Sequence, residues 1–168
     1  MGGAQERASA VVRDALGGME LVWSEWRPGL FSVSLPGSRK LITECALEVG
    51  THALHVRAFI ARRPDQDHET VYAWLLQRNL KLYGIAFGLD ALGDIYLAGK
   101  ISNASVTAAE IDRLLGAVAE TADDSFNVIL EMGFADSIRR EWVWRRSRGE
   151  STANLAAFVH LDPESGPH

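Results

Sequence analysis

Residues 31–60 read FSVSLPGSRKLITECALEVGTHALHVRAFI, and a period of two within them decides the fold. In Phe31-Ser32-Val33-Ser34-Leu35 apolar and polar residues alternate, as a half-buried strand requires. From Lys40 to Val49, Leu41, Thr43, Cys45, Leu47 and Val49 share one face, and Glu44 and Glu48 fall on the other. Leu54, Val56, Ala58 and Ile60 make one face of a third strand. Pro36-Gly37 suits the centre of a type II turn, and Gly50-Thr51 suits a two-residue hairpin loop. Turns this short join antiparallel neighbours, because parallel pairs need long crossovers.

Working outward, the period changes to that of a helix. Upstream, Ala8, Val11, Val12, Ala15 and Leu16 recur at helical spacing across Ala4–Leu16, and Gly17-Gly18 ends the run. Downstream, Arg62-Arg63-Pro64-Asp65 breaks the strand pattern. Asp65 or Asp67 is placed to cap a helix over roughly His68–Leu80, with Val71, Trp74, Leu75 and Arg78 near one side. Tyr83, Ile85, Phe87 and Leu89 alternate as a fourth strand, Asp90-Ala91-Leu92-Gly93 turns the chain, and Ile95, Leu97, Gly99 and Ile101 make a fifth. Thr107-Ala108-Ala109-Glu110 is a capping box, in which each side chain satisfies an orphan N–H of the first helical turn. The helix behind it runs to about Met132, stopped by Gly133. Ile111, Leu114, Leu115, Val118, Ala122, Phe126, Ile129 and Leu130 form one broad stripe along it. A further helix covers Asp136–Ser147, and a short apolar patch follows at Leu155–Phe158.

The expectation is an α+β fold in the order α-β-β-β-α-β-β-α-α. A five-stranded antiparallel sheet carries its helices on the apolar face, and the long helix is the main cover. A length of 168 residues suits one domain over 1–168, with 160–168 read as a disordered tail.

Composition excludes several classes. Hydrophobic residues are 47% and charged residues 23%, ordinary globular values, and the net charge of −5 argues against a nucleic-acid binder. No run free of Asp, Glu, Lys and Arg exceeds 11 residues, well short of the roughly 20 apolar residues of a membrane span. Met1–Gly18 has no apolar signal region, and Glu6 stands where myristoylation wants Ser or Thr, so the expected location is cytoplasmic. Cys45 is the single cysteine, which rules out an intrachain disulfide and a cysteine-rich zinc site.

Catalytic and metal signatures fail on spacing. His68-Glu69-Thr70-Val71-Tyr72 begins like a zinc-protease helix, but Tyr72 occupies the place of the second imidazole. His52 and His55 are an odd number of residues apart in an extended segment and point to opposite faces. Asp65 and Asp67 are explained by capping, Asp90 and Asp94 by a turn, and Cys45 lies on an apolar strand face as an inert thiol. No phosphate loop and no nucleophile elbow occurs. The expectation is no catalytic residue, no metal and no cofactor.

One segment is unusual. Over 135–148 five arginines face only Asp136 and Glu141, a local charge of +3 inside an acidic chain. Trp142 and Trp144 point about 200° apart on a helix, so either both faces are buried within the fold, with Arg stacked on Trp or paired with acids of the same domain, or one face meets a partner. Trp142 lines up with Ile138, which in the second case assigns Trp144 to the free side. Trp and Arg dominate binding hot spots. The candidate partner-binding residues are Arg139, Arg140, Trp144, Arg145, Arg146 and Arg148.

Several runs, taken with the element order, resemble the YbjN family, described as sensory transduction regulators of bacteria. They are Arg39-Lys40-Leu41, Arg62-Arg63-Pro64-Asp65, Val71-Tyr72-Ala73-Trp74-Leu75-Leu76, Leu92-Gly93-Asp94-Ile95-Tyr96-Leu97 and Ser137-Ile138-Arg139-Arg140-Glu141-Trp142. The resemblance covers roughly 28–158 and implies a fold like that of type III secretion chaperones. It implies a non-catalytic cytoplasmic regulator or chaperone-like adaptor that binds a protein partner, as a homodimer. The rival reading is a small-molecule or nucleotide sensor that uses arginines around the sheet edge.

Overall fold

The computed structural model describes residues 2–166. Helix α1 (Gly3–Gly17) is followed by strands β1 (Val22–Arg27), β2 (Leu30–Pro36), β3 (Ile42–Val49) and β4 (Ala53–Ala61). Helix α2 (His68–Asn79), strands β5 (Ala86–Leu89) and β6 (Ile95–Ser102), and helices α3 (Ala108–Gly133) and α4 (Ala135–Arg148) complete the order, with a 3-10 segment over Ala153–Leu161. The strands form one six-stranded sheet, β1-β2-β3-β4-β6-β5, antiparallel throughout.

Side chains directly opposite one another share a sheet face. Phe31 pairs with Leu47, Leu47 with Val56, and Ala58 with Leu97, and all of them are buried. Every helix therefore packs on that one face. Ser34, Glu44, Glu48, His55, Arg57 and Lys100 occupy the other, which faces solvent or is half-buried. Ile111, Leu114, Val118 and Ile129 of α3 are fully buried against the sheet, and Ala8, Val12 and Leu16 of α1 fill the space beside them.

The sheet has six strands where the sequence pattern showed five, because β1 carries a charge on its inward face. Trp23 pairs with Val33 and Glu25 with Phe31, so Glu25 points toward the helices. There it accepts two hydrogen bonds from Arg13 of α1, both at 2.8 Å. The charge hides the alternation. The type II turn also sits elsewhere: Pro28-Gly29 joins β1 to β2, with Gly29 at φ +80°, where an L side chain is strained. The β3–β4 loop is Thr51-His52, one residue later than Gly50-Thr51, because the Gly50 amide donates to the Ala53 carbonyl at 2.8 Å.

Pro36-Gly37 opens a wider loop instead of a tight turn. Asp123 of α3 accepts the amide N–H groups of Ser38, Arg39 and Lys40 at 2.8, 2.6 and 3.0 Å. A Cβ on Gly37 would lie 2.4 Å from the Lys40 carbonyl oxygen and 2.7 Å from Asp123 Oδ1, so only glycine fits. Burial opposes ionisation of Asp123, but the three amide donors outweigh it and hold the carboxyl below its ordinary range.

Other local expectations shift for identifiable reasons. Thr107 Oγ1 does accept the Glu110 amide at 3.1 Å, but the Glu110 carboxylate grips Arg113, so half of the capping box forms. Neither aspartate caps α2: Asp67 takes φ 51° with no capping bond, and Asp65 pairs with Arg62. Helix α3 runs through Gly133 and bends at Phe134 straight into α4. Phe126 is half-buried and not core. From His160 the chain is part of the fold as far as described: the 3-10 segment continues to Leu161, and Arg146 grips both carboxylate oxygens of buried Asp162. Pro167 and His168 of the expected tail lie outside the described residues.

Two stability measurements check this arrangement. In urea melts Leu114→Ala costs about 3 kcal/mol, as a fully buried leucine does, and Phe126→Ala costs about 1–2 kcal/mol; equal losses would show that α3 is rotated. Asp123→Asn costs about 1–2 kcal/mol at neutral pH, the worth of hydrogen bonds to a charged group. The depressed carboxyl contributes its stability above roughly pH 4 and loses it as pH falls through the folded-state value, so the wild-type advantage shrinks in acid. An advantage that stays constant from pH 7 to about pH 2 would contradict the assignment.

Candidate functional site

The end of β4 is irregular. Its register against β6 shifts between Phe59 and Ala61, and the bulge leaves Ile60 and Ala61 buried in succession. Bulges re-aim side chains next to binding sites. Here Phe59 comes to the rim of an open groove of about 430 Å³. Its walls are Phe126, Leu130 and Phe134 from the end of α3 and its bend, Ile138 from α4, and Leu155 from the C-terminal segment. Ser137 and Glu141 line this groove and also the next depression along α4, beneath Trp144 and Arg140.

Two cations edge the groove. The Lys40 ammonium sits 4.8 Å from the Phe126 ring centre and 5.9 Å from that of Phe59, and burial alone pushes its pKa down. Arg62 lies 4.5 Å above the Phe134 ring and donates to Asp65 at 2.6 and 3.0 Å. That hydrogen-bonded pairing, helped by the Ser137 hydroxyl at 2.7 Å, holds the Asp65 carboxyl down at about 2. Arg140 in turn donates to Ser137 Oγ at 2.9 Å. A hydrogen-bonded chain thus ties the β4–α2 turn to α4.

Helix α4 divides its aromatic and basic residues between two jobs. Trp142 is 5% exposed and donates its Nε1–H to the Phe158 carbonyl at 3.2 Å. Trp144 is 45% exposed, with Arg148 5.0 Å from its ring centre. Arg146 stacks over Trp142 and holds Asp162, while Arg145 binds Glu141 at 2.7 Å and the Ser151 carbonyl at 3.1 Å. These two arginines staple the C-terminal segment to α4. Arg139, which pairs with Asp136 at 2.7 Å, and Arg140, Val143, Trp144, Arg146 and Arg148 are exposed, and Arg145 is half-buried. Of the six candidate residues, Arg140, Trp144 and Arg145 line one depression, Arg139 continues from Arg140 and Trp144 on the neighbouring side of the helix, and Arg146 is engaged by Asp162.

The side chains weighed for chemistry lie apart. Burial pushes the Cys45 thiol up to about 12. His52 and His55 are both exposed, and among the described residues no three His, Cys, Asp or Glu side chains are grouped to hold a metal ion. No helix among those residues is long and apolar enough to cross a membrane. Sequence reasoning missed Lys40, Phe59 and Phe134 as groove residues. Phe59 did carry a signal, since it is an aromatic on the polar side of the β4 alternation.

Comparison with known proteins places the chain. An uncharacterized protein of Mycobacterium tuberculosis is 50% identical over 158 residues, covering 91% of this chain and 86% of that protein. One of Mycobacterium leprae is 48% identical over 164 residues, covering 95% and 89%. Among solved structures, a chain of the HopA1–SchA chaperone–effector complex superposes with a TM-score of 0.52 at 15% identity, covering 73% of this chain and 94% of that one. A chain of the complex between the Yersinia pestis type III secretion chaperone SycH and a fragment of YscM2 superposes at 0.47 and 16% identity, covering 68% and 96%. The sequence model of the YbjN family, described as "Putative bacterial sensory transduction regulator", matches residues 12–131, and the chain belongs to that family.

Proposed function

We propose that this protein is a non-catalytic, cytoplasmic adaptor that holds a segment of a protein partner in the groove at the end of β4. The open groove lined by Phe59, Phe126 and Leu130, with buried Phe134 and Ile138 behind them, carries this reading, because a concave, mostly apolar site with a few polar groups at its rim is the usual form of a binding site. It continues past Ser137 and Glu141 to exposed Trp144, which suits an elongated ligand better than a compact one. Arg140, Trp144 and Arg145, which line the depression along α4, form the outer contact together with exposed Arg139 and Arg148, and Arg146 keeps the C-terminal segment in place. The HopA1–SchA structure, of similar fold, is a complex of a chaperone with its effector, and this use of the fold supports the same reading. The adaptor works as a homodimer. Val22 and Trp26, each 77% exposed on edge strand β1, are the apolar area a second copy covers.

The two tryptophans separate contact from core. Trp144→Ala leaves the melting temperature nearly unchanged and weakens partner capture by about 2 kcal/mol, as loss of a hot spot does. Trp142→Ala destabilises the fold by about 3–5 kcal/mol. If Trp144→Ala captures the partner as well as wild type, α4 is not the contact. For the dimer, Trp26→Arg shifts the sedimenting species from dimer to monomer at unchanged melting temperature; a wild-type protein that sediments as a monomer contradicts this part of the reading.

A further inference from the structure

We propose that the groove selects an acidic amphipathic segment, in which apolar side chains are followed by Asp or Glu, and that the Lys40 ammonium receives its carboxylate. This rests on the adaptor reading above and names the chemistry of the partner.

The charges around the groove are unbalanced. Lys40 has two aromatic rings for neighbours, and among the described residues no carboxylate forms an ion pair with its ammonium. Cation–π contact offsets only part of what a half-buried ammonium loses on leaving water. Glu141, the one carboxylate among the lining residues, is engaged by Arg145. Arg62, on the lining beside Phe134, is paired with Asp65, which leaves Lys40 as the lining cation without a carboxylate. Farther along α4, Arg140 donates to the Ser137 hydroxyl and not to a carboxylate. A basic segment would meet the Lys40 ammonium at one end of this path and Arg140 at the other. A carboxylate at Lys40 would form a charge-assisted hydrogen bond at a site already partly shielded from water, where such bonds are strongest.

Lys40 is also held ready. Three successive amides of its loop, its own among them, are fixed on Asp123. A preorganised cation binds with less ordering cost than one on a mobile loop. The loop's tether to α3 thus positions the charge that reads the ligand.

The test is selection of a phage-displayed random peptide library on the full chain, followed by fluorescence anisotropy of the enriched peptides. The expected peptides carry Asp or Glu next to apolar residues. Lys40→Met, which keeps an apolar stem and removes the charge, weakens them about tenfold, the worth of one charge-assisted bond. Leu130→Arg and, independently, Phe59→Arg block the groove and abolish binding, with circular dichroism melts confirming that each variant is folded. Peptides that are lost on blocking the groove yet show no acidic excess, or that bind Lys40→Met within about twofold of wild type, overturn this proposal and leave the adaptor reading standing. Peptides that bind both blocked variants as tightly as wild type, or no enrichment at all, overturn the adaptor reading as well.

Discussion

The structure depends on one contact: the apolar stripe of α3 against the apolar face of the sheet. Ile111, Leu114, Val118 and Ile129 are fully buried in it, and Leu115 is nearly so. Fully burying one such side chain is worth roughly 1.5–3 kcal/mol, so together they supply on the order of 10 kcal/mol. That is comparable with the whole net stability of a protein of this size. Docking of α3 and formation of the sheet are therefore one event. The remaining helices fit around α3: α1 lies beside it, α2 fills the space between it and β5, and α4 continues from its end.

The same contact creates the groove. At 26 residues α3 is about 39 Å long, whereas the longest strand, of nine residues, extends about 30 Å and six strands span roughly 24 Å. The helix is longer than either edge of the sheet and about as long as its diagonal. Near its C-terminal end Leu130 is half-buried and, at the bend, Phe134 is buried. Helix α4 turns back from that bend, and its Ile138 joins them in the wall of the groove. The groove is rimmed by Lys40 and Arg62, both stacked on aromatic rings. An apolar floor with cationic edges forms where the ends of α3 and β4 and the start of α4 meet.

The strands with clean alternation, β2, β3, β4 and β6, were legible in sequence, as were the long helix and the opposed tryptophans of α4; β5 was legible too, but it starts at Ala86, and Tyr83 stands exposed before it. Strand β1 was not, because Glu25 occupies an inward position and is neutralised only by Arg13 from another element. Its hairpin turn, Pro28-Gly29, was passed over for the same reason, and Pro36-Gly37 was read as a turn when a tertiary contact from Asp123 sets that loop. The capping of α2 failed similarly: Asp65 is drawn to Arg62 and Ser137, residues with which no local rule pairs it. Helical periodicity put Phe126 with the core, but it lies at the edge of the stripe, beside Lys40, while Ala122, Ser125 and Ile129 are fully buried. Of the candidate contact residues, the sequence could not single out Arg146, since its partner Asp162 lies on a segment that reads as tail. The groove was invisible for a related reason: Lys40, Phe59, Phe126 and Phe134 meet only in three dimensions.

The central claim is that the groove and the outer side of α4 are the face that meets a partner, while the open side of the sheet away from the helices does not receive that segment. Site-specific photo-crosslinking in the cell of origin tests it most directly. A photoreactive residue is placed at Leu130 or Val143 on the claimed face, or at Ser34 on the open sheet face. The account predicts crosslinks to another protein from positions 130 and 143 and none to that protein from position 34. Crosslinks to it from position 34 alone, or from none of the three positions, would contradict the account.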